Sequence, residues 1–243
     1  MDNLAKLREM IQSSKRIAFL GGAGVSTESG IPDFRSENGI FQAIKKYGQA
    51  PETLLSHSYF MRNTETFYEY YKSSLLITDV EPNPAHYALA RLEKEGKLTA
   101  VVTQNIDGLH QKAGSKNVYE LHGSIYRNTC MQCGKKFSSE YMAQAEGVPH
   151  CDQCNGIIKP DVVLYGEGLD DDVVRGAISH IRQADMLIVG GTSLAVYPAA
   201  GLIDYYEGDK LALINKSDTP YDSRANLIIH DAIGKVLSAV VGV

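Results

Sequence analysis

Basic residues are not in excess. The chain holds 24 Lys and Arg against 29 Asp and Glu, a net charge of −5, so bulk electrostatics do not draw it to nucleic acid, whose binding rests on phosphate neutralisation. No nucleic-acid partner is expected, although a local basic patch is compatible with the same totals. Long apolar runs are missing as well: none approaches the roughly 18 residues of a membrane span. The first residues, with Asp2, Lys6, Arg8 and Glu9 among apolar positions, lack the continuous apolar core of a secretory signal. A cytoplasmic protein with no membrane partner is the expectation. Cysteine is scarce, and its four copies all lie between Cys130 and Cys154, unlike the scattered pairs of a disulfide framework. There is no internal repeat and no low-complexity tract, and the sequence specifies no oligomeric state.

What is present is ordinary globular material. The 243 residues, 44% hydrophobic and 22% charged, suffice for a sizeable core in one large domain or one domain with an insert. Helical spacing of Leu4, Leu7, Met10 and Ile11 predicts an opening amphipathic helix over residues 3–13. Apolar runs predict buried strands at 17–20, 98–103, 186–189, 211–214 and 227–229, with a short one at 118–121 and strand-like residues at 161–164. Residues 36–77, rich in tyrosine and poor in glycine, read as a helical excursion closed by Pro82 and Pro84. A helix through His86, Leu89 and Leu92 should end at Gly96, Pro198 suits the first turn of a helix, and a last helix covers 232–240.

The first strand runs into Gly21 to Arg35, GGAGVSTESGIPDFR. Gly22 and Gly24 lack a Cβ that would keep backbone N–H groups from a pyrophosphate. The stretch resembles a dinucleotide fingerprint but departs from it. Thr27 stands where the third glycine belongs, Pro32 breaks a long helix, and no acidic ribose anchor ends a second strand about 20 residues on. A hydride-transferring enzyme is therefore a poor match. A lone glycine turn is commonly just a turn, but the continuation SGIPDFR is more than a plain turn needs.

The cysteines form two C-x-x-C pairs with seventeen residues between them. That spacing fits a four-thiolate tetrahedral zinc site, with paired disulfides or free thiols as the alternatives. Such a site is closed and does no chemistry, so it bears on architecture. At the carboxyl end of the strand at 98–103 come Gln104, Asn105, Ile106 and Asp107, where ligands of open α/β sheets bind. The strand at 118–121 delivers His122 and Gly123 to the same rim, and Gly190-Gly191-Thr192-Ser193 forms a second glycine turn.

Taken in order, GAGVSTESGIPDFR, TQNID (Thr103 to Asp107), His122-Gly123, the two C-x-x-C pairs, VVLYGE (Val162 to Glu167) and GTSLAVYPAA (Gly191 to Ala200) resemble the sirtuins, NAD-dependent protein lysine deacylases, in their bacterial type. The resemblance spans nearly the whole chain. It implies an α/β fold: a Rossmann-like parallel sheet domain (residues 1–35, 78–125 and 160–243) with a smaller domain formed by a helical excursion (36–77) and a zinc ribbon insertion (126–159). It also implies deacetylation of acetyl-lysine in proteins, the acetyl group passing to ADP-ribose with release of nicotinamide. NAD is then a consumed co-substrate, which accounts for the missing ribose anchor, and Cys130, Cys133, Cys151 and Cys154 hold one structural Zn2+. The alternatives are mono-ADP-ribosyl transfer or removal of other acyl groups. A zinc-ribbon binding module without catalysis would leave both glycine turns and TQNID unused.

On this resemblance His122 is the general base, an imidazole with an ordinary pKa near 6.5 being suited to proton removal around neutrality. Asn105 holds a ribose hydroxyl or an ordered water, the Ile106 backbone and Asp107 meet the nicotinamide amide, Phe34 shields the ribose C1′ and Arg35 lies by the phosphates. Ala23, Thr27, Gln104, Thr192 and Ser193 map to NAD contacts and Asn215 to the adenine-side ribose. Gly22, Gly24, Asp33, Gly191, Asp231 and Ala232 complete the cofactor set. Val163, Tyr165 and Gly166 map to the acyl-lysine tunnel, while Gly166, Glu167 and Val196 pair with the substrate backbone as an added strand. The plainer readings are a structural role for His122, a turn cap for Asn105 and a helix cap for Asp33. The remaining histidines, His57 among them, read as structural or solvated.

Two departures stand out. Gly21 occupies a place where many relatives have threonine. In the branch that removes malonyl and succinyl groups, a tyrosine and an arginine three residues apart bind the acyl carboxylate; here Tyr68 and Tyr71 occupy those places, and the cation is missing unless Lys72 substitutes. Uncharged acyl groups are expected to be preferred.

Overall fold

A computed structural model describes residues 2–33 and 36–243, so the roles expected of Phe34 and Arg35 fall outside the described residues. Helix α1 (Asn3–Ser13), capped by the Asp2 carboxylate on the Leu4 amide, leads into β1 (Ile17–Gly21), buried along its length. Two short 3-10 turns, Ala23–Val25 and Thr27–Ser29, follow in place of a helix. The excursion comprises α2 (Glu37–Tyr47), α3 (Pro51–Leu54), α4 (His57–Arg62) and α5 (Thr64–Ser74). Ser36 caps α2 through the Gly39 amide, so Asp33 is not the cap of that helix.

Helix α6 (Pro84–Lys94) starts behind an Asn83 capping box and gives way to Gly96, whose φ of 74° is a left-handed conformation suited to glycine. Strand β2 (Leu98–Thr103), α7 (Leu109–Lys112) and β3 (Val118–Glu120) follow. The cysteine segment contributes β4 (Gly123–Cys130), β5 (Lys136–Phe137), α8 (Ser139–Gln144) and β6 (Ile158–Val162). Then come α9 (Asp171–Gln183), β7 (Met186–Gly190), a 3-10 turn over Ala199–Tyr205, β8 (Leu211–Ile214), β9 (Leu227–Ile229) and α10 (Ile233–Val241).

The large sheet is parallel throughout, in the order β3-β2-β1-β7-β8-β9. Successive side chains of a strand point to opposite faces, so Ile17 and Phe19 enter one apolar core and Ala18 and Leu20 the other. The order reverses on either side of β1. Crossovers from β1 and β7 therefore diverge, opening a crevice at their carboxyl ends, where Gly21 and Gly190 lie in register.

A third core joins the helical excursion to the ribbon. Leu54, Phe60, Phe67, Tyr68 and Tyr71 pack with Ile125, Cys130, Phe137, Cys151 and Ile158 around a three-stranded antiparallel sheet, β5-β4-β6. Three sequence expectations change here. The strand expected at 161–164 lies at 158–162 and pairs antiparallel with β4, so it extends the ribbon and does not resume the large sheet. Pro198 opens a 3-10 turn, Ala199–Tyr205, in place of the α-helix. Tyr68 and Tyr71, expected in the acyl pocket, are buried in the third core: the Tyr68 hydroxyl donates to the Ile158 carbonyl, and Lys72 donates to the Ala145 and Gly147 carbonyls. Their helical spacing made one face of α5, and that face turns into the core.

Candidate active site

Both glycine turns meet at the crevice. The Gly24 amide donates to the Gly191 carbonyl at 2.8 Å. A Cβ on Gly24 would stand 2.8 Å from the Gly191 Cα, and one on Gly22 would stand 2.9 Å from the Thr192 Cβ. The absent side chains thus permit the turns to touch. Thr27 folds back onto the Gly24 carbonyl, 3.0 Å away. Asn215 exchanges two side-chain hydrogen bonds with the Thr192 backbone and so braces the second turn. Ser193 is exposed, and buried Leu194 has a φ of 53°. A strained, non-glycine left-handed residue of this kind is frequent where a loop serves a site.

Below the turns lies a cavity of about 200 Å³ between the large sheet and the small module. Its floor carries the polar side chains Ser26, Gln104, Asn105, Asp107 and His122, with Ala23 and Ile106 between them. Its far wall is apolar: Leu55, Leu75, Ile77, Val163, Leu164 and Tyr165, with Gly166, Glu167 and Val196 at the rim. No lysine or arginine lines it among the described residues.

The floor is tied together. Gln104 donates through its side chain to the Thr192 hydroxyl at 3.0 Å and through its amide to the Gly21 carbonyl. The Gln104 carbonyl lies 3.0 Å from the Nδ1 of His122. A carbonyl only accepts, so Nδ1 carries the proton and the basic lone pair of the neutral ring falls on Nε2. The Ser26 hydroxyl donates to the Asp107 carboxylate at 2.6 Å and accepts from the Asn105 side-chain amide at 3.0 Å. Burial pushes the Asp107 carboxyl up, while the Ser26 hydroxyl and the Leu109 amide pull against it. The Ile106 carbonyl is already taken by the Ile125 amide.

Of the residues expected from sequence, His122, Asn105, Gln104, Ile106, Asp107, Ala23, Val163, Tyr165, Gly166, Glu167 and Val196 line this one cavity. Tyr68 and Tyr71 do not. Asp231 and Ala232 lie outside it at the start of α10, where Asp231 bonds the Ala232 amide and Lys235. Ser26, inside the first motif, joins the site without a role that the motif alone assigns it. Leu55, Leu75 and Ile77, from the helical excursion, carry no local sign of a site.

The four cysteines converge away from the cavity. Their sulfurs lie within 4.8 Å of one another, with Cys130 to Cys154 at 3.5 Å and Cys133 to Cys151 at 3.6 Å. These separations are too long for disulfides and close to the ~3.8 Å edge of a Zn–S tetrahedron with ~2.3 Å bonds. Amides of Gln132, Cys133 and Gln153 point at Cys130 and Cys151 sulfurs as they would at thiolates. The cluster fits a zinc ion.

A model of the Sir2 family matches residues 22–198. The chain is 58% identical over 242 residues to an NAD-dependent protein deacetylase of Clostridium acetobutylicum, covering 99% of both. Among solved structures it is similar to a Sir2 histidine-to-alanine mutant with deacetylated p53 peptide and 3'-O-acetyl ADP ribose (TM-score 0.89, 39% identity, 98% of this chain and 97% of that one). It is likewise similar to a Sir2 complex with p53 peptide and NAD+ (TM-score 0.87, 38% identity, 98% and 97%). Likeness of this extent, in sequence and in fold, makes the chain a member of the Sir2 family.

Proposed function

We propose that this protein is an NAD-dependent protein lysine deacetylase. Acetyl-lysine, NAD and water yield free lysine, nicotinamide and O-acetyl-ADP-ribose; NAD is consumed as a substrate whose nicotinamide–ribose bond breaks. The observation that carries the reading is His122, its Nδ1 on the Gln104 carbonyl, lining one cavity with the Asn105, Ser26 and Asp107 cluster and an apolar wall. The family membership and the deacetylase relatives support it.

In this reading His122 accepts a ribose hydroxyl proton at Nε2, and the Gln104 carbonyl steadies the ring as positive charge develops. Ser26 fixes the Asn105 amide, so that the Asn105 side-chain oxygen is presented to a ribose hydroxyl or an ordered water. Asp107, buried and bonded to Ser26, orients the nicotinamide amide. The Gly24, Gly191 and Thr192 amides are bonded within the protein, so in this reading the Ala23 and Ser193 amides of the two turns are the donors offered to the phosphates. Val163, Leu164 and Tyr165 exclude water from the acetyl group, and the substrate backbone is added as a strand beside Gly166, Glu167 and Val196. Phe34, Arg35, Asp33, Asp231, Ala232 and Asn215 retain the NAD-side roles the resemblance implies, Asn215 through its brace on Thr192. Residues 1–35, 78–125 and 163–243 then form the NAD-binding domain, its last boundary moved from 160 to 163 because β6 pairs within the ribbon and is counted to the small domain. Cys130, Cys133, Cys151 and Cys154 hold one structural zinc.

Incubation with NAD and a panel of acyl-lysine peptides tests the reading. Free lysine peptide and O-acetyl-ADP-ribose in equal amounts are expected; a protein gaining the mass of ADP-ribose, without acetyl-ADP-ribose, would mark ADP-ribosyl transfer instead.

A further inference from the structure

The rim segment 163–167 has no regular secondary structure beyond one bridge, yet it forms the wall and edge of the cavity. Backbone bonds hold it at three places: the Val163 amide on the His122 carbonyl, the Tyr165 amide on the Leu55 carbonyl, and the Tyr165 carbonyl under the His57 amide at 2.9 Å. Gly166 then turns the chain with a φ of 90°, where a Cβ would meet nothing, so conformation and not space calls for glycine.

Past that turn the Glu167 carboxylate locks the segment. Its Oε2 accepts from the Leu164 amide at 2.8 Å and from the Lys159 ammonium at 3.1 Å. Its Oε1 meets the Nδ1 of His57 at 2.8 Å. Burial alone would push the Glu167 carboxyl up, but the Leu164 amide, His57 and Lys159 outweigh it and hold the group below the usual carboxylate range. Leu164 and Lys159 are neighbours in the same stretch. His57 comes from the helical excursion, at the start of α4, and grips the rim by both backbone and ring.

We propose that His57 is a positioning residue for the acyl-lysine substrate: through Glu167 it fixes the 163–167 edge in the shape that receives the substrate main chain. This rests on the deacetylase reading above. The imidazole is half exposed, so its removal takes no volume from a core, and a partly exposed pair of this kind adds little to global stability. Its effect falls on the edge it holds.

The experiment is steady-state kinetics of His57→Ala, His57→Asn and Glu167→Gln, with the double variant H57A/E167Q. For H57A the KM for acetyl-lysine peptide is expected to rise roughly five- to tenfold, the scale of one charge-assisted hydrogen bond. The kcat and the KM for NAD should stay within about twofold of the wild type. H57N, which keeps a side-chain donor, should recover most of the loss. In the double variant the loss should not exceed that of E167Q alone, because the His57–Glu167 contact is already weakened there along with the Lys159 and Leu164 contacts. His57→Phe removes the donor while keeping ring volume and serves if alanine loosens the start of α4. An unchanged peptide KM in these variants, a loss confined to kcat or to NAD, or additive losses would overturn the proposal. A wild-type protein without deacetylase activity would strike the underlying reading instead, so the two failures are distinct.

Discussion

His122 and Gln104 meet where the imidazole Nδ1 lies 3.0 Å from the Gln104 peptide oxygen at the floor of the cavity. Gln104 in turn reaches Thr192 and Gly21. The orientation of the base is thereby coupled to both glycine turns. His122→Ala should lower acetyl transfer by roughly a hundred- to ten-thousand-fold, the usual worth of a positioned general base. The ring is only half buried, so the melting temperature should hardly move. Nicotinamide release and peptide mass, measured beside a thermal melt, check both halves.

The cavity wall is made of Leu55, Leu75, Ile77 and Leu164, and the carboxylates Asp107 and Glu167 border it without a cation among its described residues. A succinyl carboxylate there would be desolvated without a partner, at a cost of several kcal/mol. Acetyl-lysine peptide should therefore exceed matched succinyl-lysine peptide in kcat/KM by at least about a hundredfold. Comparable turnover of the two would contradict the apolar reading of the pocket.

Removal of one thiolate should be felt at a distance. Cys130 and Cys151 are buried in the same core as Phe60, Phe67 and Tyr71, so loss of zinc loosens the module that carries Leu55 and Leu75 to the cavity. Cys130→Ser is expected to lower bound zinc, melting temperature and activity together. Metal analysis of the purified variant, followed by a melt with and without chelator, measures this; full occupancy at unchanged stability would be the opposite result.

Acid should weaken the fold through a histidine that the reaction does not use. His86 is buried in the capping box of α6, its Nδ1 accepting from the Asn83 amide, and its ring packs against the equally buried His110. Burial draws the His86 imidazole down from 6.5 to about 4, and His110 is drawn down too. Between those values the unfolded chain binds the proton and the folded one does not. Stability is therefore full above about pH 6.5 and falls as pH drops toward 4, by about 3 kcal/mol for His86 alone. Melts across that range, compared with His86→Gln, should show a smaller acid loss in the variant.

The inner strands were readable because β1, β2, β7 and β8 are apolar at nearly every position, as a sheet covered on both faces requires. Helix α9 was not: its sequence is mostly polar, and Ala177 and Ile181 are its buried anchors. Strand β6 starts at Ile158, ahead of the apolar run that marks it, because Lys159, Pro160 and Asp161 carry no such run, and its pairing with β4 is a contact between distant residues. His57 gave no local signal, since its partner Glu167 is 110 residues away.

By itself the sequence determined the types of group and their order along the chain: two glycine turns, a histidine and an asparagine after strands, four thiols at metal spacing. These are local matters, written in conformational freedom, periodicity and spacing. Only the tertiary structure decided which face of α5 is core, sending Tyr68 and Tyr71 inward, and brought Leu55 and Leu75, which flank the helices of the excursion, from that same core to the cavity. Only it brought Ser26 between Asn105 and Asp107. Side-chain depth and pairing across the chain depend on how whole elements pack, and no window of residues contains that information.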